Sequence, residues 1–419
     1  MSHPETVAAI FALTYVGIAL GGVPGLALDR TGIALLGAIA MVATGALNPE
    51  EAAKAIDAPT IILLYSLMVL SGQLRLSGFY TAAALKANRF IGKPASFLGA
   101  VMLIAAVLSA LLANDIVCLA LTPVICFSLL EADMNPVPFL LGLACASNIG
   151  SAATIIGNPQ NMLIGQVAGL HFDRFLLWCG PPSVVCLGAA YLVILMLFKG
   201  KWKRKDGRDA APAGQISKEQ FSKEEWPPYD RHQSVKGLVI ACALLFMFFT
   251  PVPRELSAVI AAGVLLASRK IETRQILGMV DWHLITLFCA LFIVVAGVSK
   301  YGMPRQAVSW LEGRGVDINA PYVLSLVTLV LSNTLSNVPA VMLILKHINL
   351  AATKNLYVLA LISTYAGNLL IVGSIANLIT IEQAKSFGVR IGFREHARVG
   401  VPVTVLSMLI AFAWIAVAA

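Results

Sequence analysis

Leu108-Ser-Ala-Leu-Leu-Ala-Asn114 and Leu331-Ser-Asn-Thr-Leu-Ser-Asn337 are two copies of one polar motif, and each lies in the middle of a long apolar stretch. When the chain is shifted against itself by about 216 to 224 residues, the two copies align and other pairs follow in the same order. Further aligned pairs are Gly157 with Gly373 and Asn161 with Asn377. The sequence therefore predicts a duplicated fold. A duplication that serves only packing is the alternative to a duplicated functional site.

Composition places this duplicated fold in a membrane. The 419-residue chain is 58% hydrophobic and only 12% charged, and its mean hydropathy is +0.82. Because soluble domains carry about 25% charged residues, this chain lacks the polar surface that a soluble fold needs. The net charge of +8 fits cytoplasmic loops beside anionic lipid. We therefore expect an all-α polytopic membrane protein whose partner is the lipid bilayer and not a nucleic acid.

Four of the apolar stretches are not simple spans. A crossing of ~30 Å of hydrocarbon needs about 20 residues. The stretches 96–130 and 320–347 are too long for one crossing, too short for two, and polar at their centres. They predict re-entrant helical hairpins. The stretches 137–167 and 353–384 are interrupted by glycine and asparagine, which predicts a discontinuous helix in each.

A basic polar segment divides the chain. Residues 199–235 form this segment, and it separates a predicted first repeat, 1–198, from a second repeat, 236–419. Each repeat has five spans, an odd number, so the second must enter the membrane in the opposite orientation. Placing the linker in the cytoplasm also puts most Lys and Arg residues on that side. We expect a multi-pass protein of the inner (cytoplasmic) membrane with a cytoplasmic linker.

The interruptions predict a transport site near the middle of the membrane. Broken backbone in lipid leaves polar groups unpaired at several kcal/mol each, so it survives where it is buried in protein or lines a cavity. Inverted repeats with matching breaks are typical of secondary transporters. The predicted substrate- and ion-binding residues are Asn114, Asp115, Asn148, Gly157, Asn158, Asn161, Ser336, Asn337, Asn368, Gly373, Ser374 and Asn377.

Asp115 is the predicted proton-coupling residue. It is the only carboxylate between Phe97 and Leu130. An ionisable group at this depth is costly to bury and is a functional candidate for that reason. The alternative is a structural role, in which Asp115 caps the returning helix of the hairpin.

Neither an enzyme nor a metal site is indicated. The chain has no Walker A sequence and no HExxH motif. Its seven cysteines lie in apolar runs without a CxxC pair, which predicts buried apolar residues, not disulfides or zinc ligands. A passive channel or a membrane-embedded enzyme is disfavoured because the polar breaks are isolated and Asp115 has no paired catalytic group. We therefore expect a transporter with no catalytic residues, no metal site and no bound cofactor.

Three motifs carry a family resemblance. They are Leu111-Leu-Ala-Asn-Asp-Ile116 followed by Leu121-Thr-Pro123, Ile156-Gly-Asn-Pro-Gln-Asn161, and Gly373-Ser-Ile-Ala-Asn-Leu378. In these motifs the chain resembles the ion transporter superfamily, specifically the ArsB/NhaD group of arsenite efflux proteins, sodium/proton antiporters and anion permeases. The resemblance implies a scaffold, a mobile transport region and elevator-type alternating access. It also implies that the hairpin tips and broken helices meet at the substrate.

The hairpin tips depart from those of sodium-coupled dicarboxylate relatives, which read Ser-Asn-Thr. Here they read Ala113-Asn-Asp115 and Ser336-Asn-Val338. Losing both threonines weakens the expectation of two sodium sites and of a carboxylate substrate. The additional aspartate favours coupling to H⁺, with Na⁺ as the alternative coupling ion.

These observations predict a secondary transporter of a small inorganic oxyanion or its neutral acid. Proton-coupled efflux of arsenite or antimonite is the leading hypothesis. Sodium-coupled uptake of an anion or carboxylate, or sodium/proton antiport, is the alternative. A homodimer is left open as a partner arrangement, and so is a soluble ATPase subunit if the cargo is arsenite.

Overall fold

The computed structural model describes residues 3–22, 25–203, 227–303, 306, 309 and 313–418. Within these ranges the regular secondary structure is helical, apart from one isolated bridge between Met134 and Lys203. The all-α prediction is confirmed. Most of the predicted basic linker, residues 204–226, lies outside the described residues.

Up to the linker, the described residues contain ten α-helices. In chain order they are α1 (His3–Leu20), α2 (Arg30–Ala43), α3 (Pro49–Ala55), α4 (Ala58–Leu76), α5 (Phe79–Ala87), α6 (Pro94–Leu111), α7 (Asn114–Glu131), α8 (Val137–Ser151), α9 (Pro159–Val167) and α10 (Phe172–Leu197).

The described residues after the linker contain nine more. They are α11 (Arg231–Met247), α12 (Arg254–Leu266), α13 (Thr273–Leu277), α14 (Trp282–Lys300), α15 (Pro321–Leu335), α16 (Asn337–Leu345), α17 (Thr353–Ala366), α18 (Ile375–Ser386) and α19 (Phe393–Val417). Two 3₁₀ turns, Asn88–Phe90 and Ile371–Gly373, complete the described helical structure.

Six of the described helices are long and apolar enough to cross a membrane. They are α4, α6, α7, α10, α14 and α19. Shorter apolar helices of 10–17 residues are α1, α2, α8 and α15. These lengths and compositions agree with the expected polytopic membrane protein.

Both predicted hairpins and both predicted discontinuous helices are present. In the first hairpin, α6 and α7 are separated by Leu112 and Ala113, and in the second, Ser336 alone separates α15 from α16. The first broken helix, α8 and α9, is interrupted at 152–158, and the second, α17 and α18, at 367–374. The second hairpin is shorter than the first, since α16 has only 9 residues whereas α7 has 18.

The packing of the helices is reciprocal between the two halves. Helix α4 packs on α12, and its counterpart α14 packs on α2. In the same way α7 packs on α18, and α16 packs on α9. An approximate twofold relationship explains why each contact occurs twice with the halves exchanged. This arrangement confirms two five-span repeats, while the boundaries 1–198 and 236–419 stay a prediction.

Two groups of helices follow from these contacts. Helices α6–α10 and α15–α19 pack mainly among themselves, and we call them the hairpin group. Helices α1, α2, α4, α11, α12 and α14 form the frame group. The groups meet where α4 contacts α7 and α9, where α14 contacts α16, and where α1 contacts α15.

Three short helices lie in segments that the sequence indicated as loops. Helix α3 has a capping box, in which the Asn48 N–H donates to Glu51 at 2.9 Å and the Glu51 N–H donates to Asn48 at 2.8 Å. In α13, the Glu272 N–H donates to Gln275 at 3.3 Å. With seven and five residues, these helices are too short to show an apolar period. The third, α5, begins directly after Gly78, whose φ is +73°.

Candidate functional site

Asn148 joins the two repeats at the centre of the fold. Its side chain, on α8, is 2% exposed. Its Nδ2 donates to Asn368 Oδ1 at 2.9 Å and to Asn377 Oδ1 at 3.1 Å. Its Oδ1 accepts hydrogen bonds from Ser374 Oγ at 2.9 Å and from Asn114 Nδ2 at 3.5 Å. Five of the predicted site residues therefore form one buried network.

Asn161 and Asn377 close the two helix breaks in the same way. Asn161 Nδ2 donates to the carbonyl oxygens of Ser151 at 3.3 Å and Thr154 at 3.1 Å. Asn377 Nδ2 makes the corresponding bonds to Gly367 at 2.7 Å and to Leu370 at 3.3 Å. Each asparagine thus reaches carbonyls ten and seven residues upstream. These carbonyls have lost their helical partners, and the side chains satisfy them.

A second reciprocal contact crosses between the repeats. Asn158 Nδ2 donates to Thr364 Oγ1 at 3.2 Å and to Ser151 Oγ at 3.0 Å. In the aligned repeats Asn158 corresponds to Ser374 and Thr364 corresponds to Asn148, so the Asn158–Thr364 bond is the counterpart of the Ser374–Asn148 bond. The approximate twofold axis therefore passes through this network.

The tip of the first hairpin contacts the first helix break through backbone. The Asn114 N–H donates to the Gly157 carbonyl oxygen at 3.3 Å. A Cβ atom at Gly157 would overlap the Ser151 carbonyl and lie 2.8 Å from the Ser109 carbonyl. Glycine is therefore required at 157 for this close approach.

The tip of the second hairpin is strained. Ser336 links α15 to α16 with φ +79° and ψ 157°, a region that is essentially restricted to glycine. Holding a side chain there costs about 1–3 kcal/mol. Asn337 follows at the start of α16, and its Nδ2 lies close to Gly367, 3.0 Å from where a Cβ atom would stand. The second tip therefore meets the second helix break, as the first tip meets the first.

Several buried polar atoms around this network have no hydrogen-bond partner within the described structure. They are Asn114 Oδ1, Asn161 Oδ1, Ser332 Oγ, Asn333 Oδ1, Asn337 Oδ1 and Asn368 Nδ2. An unpaired buried polar group costs about 1–3 kcal/mol, so such a cluster needs a reason to persist. A bound polar solute that offers both donors and acceptors would satisfy these atoms.

Asp115 is the only acidic residue at the hairpin tip, and it is not part of the hydrogen-bonded network. It is half-buried, and no described side chain hydrogen bonds to its carboxylate. Helix α7 has no side-chain cap at Ala113, so the structure shows no capping bond from Asp115. Asp281, which caps α14 by accepting from the Leu284 N–H at 2.9 Å, lies within electrostatic range. The structure therefore favours a free carboxylate at this position.

No cationic side chain belongs to the parts of the helices that form the site; the lysines of these helices, Lys354 and Lys385, lie near the ends of α17 and α18. The stretches 94–167, 321–345 and 355–384 contain neither Lys, Arg nor His. A site for a multiply charged anion normally includes such residues. Near the network these stretches thus offer amides, hydroxyls and the Asp115 carboxylate to a ligand.

Sequence reasoning missed several hydroxyl residues of the site. Ser147 Oγ bonds to Ser109 Oγ at 2.8 Å and to the Asn114 carbonyl at 3.3 Å, which fixes the first hairpin on α8. Thr364 bridges the repeats as described above. The sequence did contain one signal for Thr364, because this residue aligns with Asn148 when the chain is shifted by 216 residues. Serine and threonine are common in membrane helices for packing, so composition did not single them out.

Comparison with known proteins identifies relatives over most of the chain. A family model described as "CitMHS: Citrate transporter" matches residues 15–356. The rice silicon efflux transporter LSI3 is 29% identical and covers 97% of this chain and 96% of its own length. A Dictyostelium discoideum transporter named arsB is 26% identical, over 92% of this chain and 87% of its own length.

A solved structure shares the fold. The YdaH transporter of Alcanivorax borkumensis, described as having an unusual topology, matches with a TM-score of 0.54. The match covers 99% of this chain and 98% of that chain at 14% identity. At this identity the likeness shows the fold alone.

Proposed function

The chain belongs to the citrate transporter family, CitMHS, among the ArsB/NhaD-type permeases, and is a secondary transporter; from this premise we propose that it exports a small neutral hydroxylated acid in exchange for protons, with arsenite or antimonite as the leading candidate. The observation that carries the proposal is the uncharged network around Asn148, with unpaired donors and acceptors beside it.

The chemistry of the cargo follows from that network. Arsenious acid near neutral pH is a small molecule whose hydroxyl groups donate and accept hydrogen bonds. Asn114 Oδ1 and Asn337 Oδ1 offer acceptors, and Asn368 Nδ2 offers a donor. Citrate, in contrast, carries several negative charges and would need cationic side chains that the stretches around the network lack. The names of two relatives, a silicon efflux transporter and arsB, also support a neutral inorganic acid.

Proton coupling is assigned to Asp115. Its carboxylate is half-buried, has no hydrogen-bond partner among the described residues, and follows directly after Asn114 of the network. A carboxylate in this position can release a proton to one side and take one up from the other. With a neutral cargo and Asp115 as the proton carrier, export of the cargo is exchanged for import of protons down their gradient.

An elevator-type movement is the proposed mechanism. The hairpin group carries every residue of the network, whereas the frame group carries none of them. A rigid displacement of the hairpin group would carry the site across the membrane without breaking the Asn148 bonds. The reciprocal packing supports this proposal, because exchanging the equivalent contacts of the two repeats would produce the state that faces the opposite side of the membrane.

Sodium coupling is the second candidate. Three unpaired amide oxygens, on Asn161, Asn333 and Asn337, lie near the helix breaks, and oxygen ligands of this type suit a small hard cation. Under this alternative the protein would take up an anion with sodium or exchange sodium for protons.

Location and partners are part of the same proposal. We place the protein in the inner (cytoplasmic) membrane with its central linker in the cytoplasm, because this orientation obeys the positive-inside rule. A small inorganic solute and the surrounding lipid are then its required partners.

Purified protein in liposomes tests the cargo and the coupling ion together. Uptake of arsenite, antimonite, silicic acid and citrate is measured with an imposed pH gradient, in sodium or in choline buffer. We expect accumulation of arsenite and antimonite that follows the pH gradient and is equal in both buffers. Citrate accumulation, or strict dependence on sodium, would reject the first proposal in favour of the second.

A further inference from the structure

Arg30 and Arg254 occupy equivalent positions in the two repeats. Each is the first residue of a frame helix, α2 and α12 respectively, and a shift of 224 residues aligns these helices without a gap. Under this shift the buried positions of α2 coincide with those of α12, as Met41 does with Leu265. The approximate twofold axis therefore relates the two arginines.

Both arginines contact a broken helix of the opposite repeat, but at different levels. Arg254 Nη2 donates to the Gly165 carbonyl oxygen at 2.7 Å, near the C-terminal end of α9. Arg30 Nη1 lies 3.5 Å from the Val372 carbonyl oxygen, within the second helix break. In the alignment of the breaks, Gly165 corresponds to Ile381, which lies nine residues beyond Val372. The hairpin group is therefore placed asymmetrically on the frame group.

A neighbouring hydrogen bond shows the same difference. Gln166 Nε2 donates to Glu255 Oε2 at 2.9 Å, which joins α9 to α12. The counterparts of these residues are Glu382 in α18 and Thr31 in α2. The Glu382 side chain is 75% exposed, and the Thr31 hydroxyl donates to a backbone carbonyl of α14 at 3.4 Å. Helix α12 thus holds the far end of α9, whereas α2 does not hold the far end of α18.

Burial of the two broken helices differs in the same sense. Residues 162–165 of α9 are buried, and α9 packs on the frame helix α4. Among their counterparts in α18, the apolar residues Leu378, Ile379 and Ile381 are all partly exposed. Helix α14, the counterpart of α4, has no comparable packing on α18 in the described part of the chain. One face of α18 is therefore left uncovered by the frame group.

We propose that the described structure is one end state of the transport cycle, and that Arg30 exchanges Val372 for Ile381 and Glu382 in the other. This inference rests on the elevator-type movement proposed above and assigns its contacts. Exchanging the two repeats converts the bond that Arg254 makes now into a bond from Arg30 to the Ile381 carbonyl. The uncovered face of α18 then meets the frame group.

The amplitude of the movement follows from helix geometry. Residues 375–381 are helical, and a helix rises about 1.5 Å per residue, so the hairpin group slides at least about 9 Å past Arg30. The twofold relation requires the reverse change at Arg254, which leaves Gly165 and reaches the carbonyl of Ile156.

The second state contains an ion pair that the described state lacks. Gln166, beside Arg254, is neutral, whereas its counterpart Glu382 is a carboxylate. In the second state Arg30 lies beside this carboxylate, and the Thr31 hydroxyl donates to it as well. The ion pair favours the second state, because it is made there and not in the described state.

Cysteine cross-linking of the full-length protein in liposomes tests the exchange. The parent protein carries alanine at Cys242 and Cys289, the two cysteines with exposed surface, and a protease site within residues 204–226. After proteolysis, a cross-link between the repeats keeps the two halves together in a denaturing gel. A short bis-methanethiosulfonate reagent is the cross-linker.

Two cysteine pairs report the two states. Gln166→Cys with Glu255→Cys reports the described state, and Thr31→Cys with Glu382→Cys reports the second. We expect both pairs to cross-link. In a protein with all four cysteines, locking the first pair with the reagent should prevent cross-linking of the second. Thr44→Cys with Glu382→Cys is the matched control and should not react, because Thr44 lies at the opposite end of α2.

A charge variant tests the ion pair. Glu382→Gln, added to the pair at Gln166 and Glu255, should speed its cross-linking about twofold to fivefold, since the described state is then more populated. Glu50→Gln, at an exposed carboxylate paired only with Lys54 of its own helix, should leave the rate unchanged.

The outcomes separate this inference from the proposed cargo, because cross-linking requires no substrate. Cross-linking of both pairs without arsenite transport would reject the cargo alone. A protein that transports but never cross-links at Thr31 and Glu382 would overturn the exchange. Two further results would also overturn it: no cross-link between Gln166→Cys and Glu255→Cys, or both cross-links in one molecule of the four-cysteine protein.

Discussion

Asn148 on α8 and Asn368, at the break between α17 and α18, are joined by a hydrogen bond of 2.9 Å, although 220 residues separate them in the chain. Both side chains are buried. The bond connects the broken helix of one repeat to that of the other, so the proposed substrate site is shared between the repeats and belongs to neither alone.

Replacing Asn148 with alanine should remove the hydrogen bonds that join the two repeats at this site. The change removes the partner of Ser374 Oγ and of Asn368 Oδ1, and each unpaired group costs about 1–3 kcal/mol. We expect substrate affinity to fall at least about tenfold, together with a lower Tm. Liposome uptake and thermal unfolding measure the two effects. Thr44→Ala, which removes an exposed hydroxyl bonded only within its own helix, should change neither. Unchanged affinity in Asn148→Ala would place the substrate elsewhere.

Asp115→Asn separates coupling from binding. The substitution removes a titrating charge with almost no change in volume, so the hairpin should fold and the protein should insert normally. Counterflow of labelled against unlabelled arsenite should persist, because Asn114 and Asn337 still offer hydrogen bonds. Accumulation driven by a pH gradient should be lost. Asp173→Asn, at an exposed carboxylate at the start of α10, is the control and should keep both activities. Full pH-driven transport by Asp115→Asn would remove Asp115 from the mechanism.

Gly157→Ala tests the close approach between the first hairpin tip and the first helix break. The added methyl group would meet the backbone of Ser151 and the carbonyl of Ser109, so the tip must shift and the Asn114–Gly157 bond must lengthen. We expect destabilisation of about 1–3 kcal/mol and a loss of transport. Gly188→Ala is the matched control: a Cβ atom there has no neighbour within 4 Å, and alanine favours the helix. Equal behaviour of the two variants would show that the tip has room to move.

Ser336→Gly should stabilise the second hairpin. Glycine adopts φ +79° without the steric cost that serine bears, so we expect a gain of about 1 kcal/mol and a higher Tm. Ser336→Val should lower Tm, because β-branching makes the same conformation worse. Transport assays on both variants show whether the strain has a function. A more stable but slower Ser336→Gly would indicate that the strain assists hairpin movement. No stabilisation would contradict the strained conformation.

The sequence alone determined the class of the protein and the positions of its breaks. Composition requires lipid as the solvent, and broken backbone in lipid requires polar residues at the same places in both repeats. Asn161 and Asn377 were therefore predictable, since each satisfies carbonyls only ten and seven residues upstream. Contacts over such short separations can be inferred from the order of the residues in the chain.

Only the tertiary structure decided how these pieces meet. Asn148 bonds to Asn368, Ser374 and Asn377, all more than 200 residues away, and no local pattern specifies which asparagine faces which. The ion pair between Lys300 and Glu51 is likewise invisible until α3 is placed beside α14. Hydrogen bonds and ion pairs depend on distances of a few ångströms, and the chain acquires those distances only when its distant segments pack together.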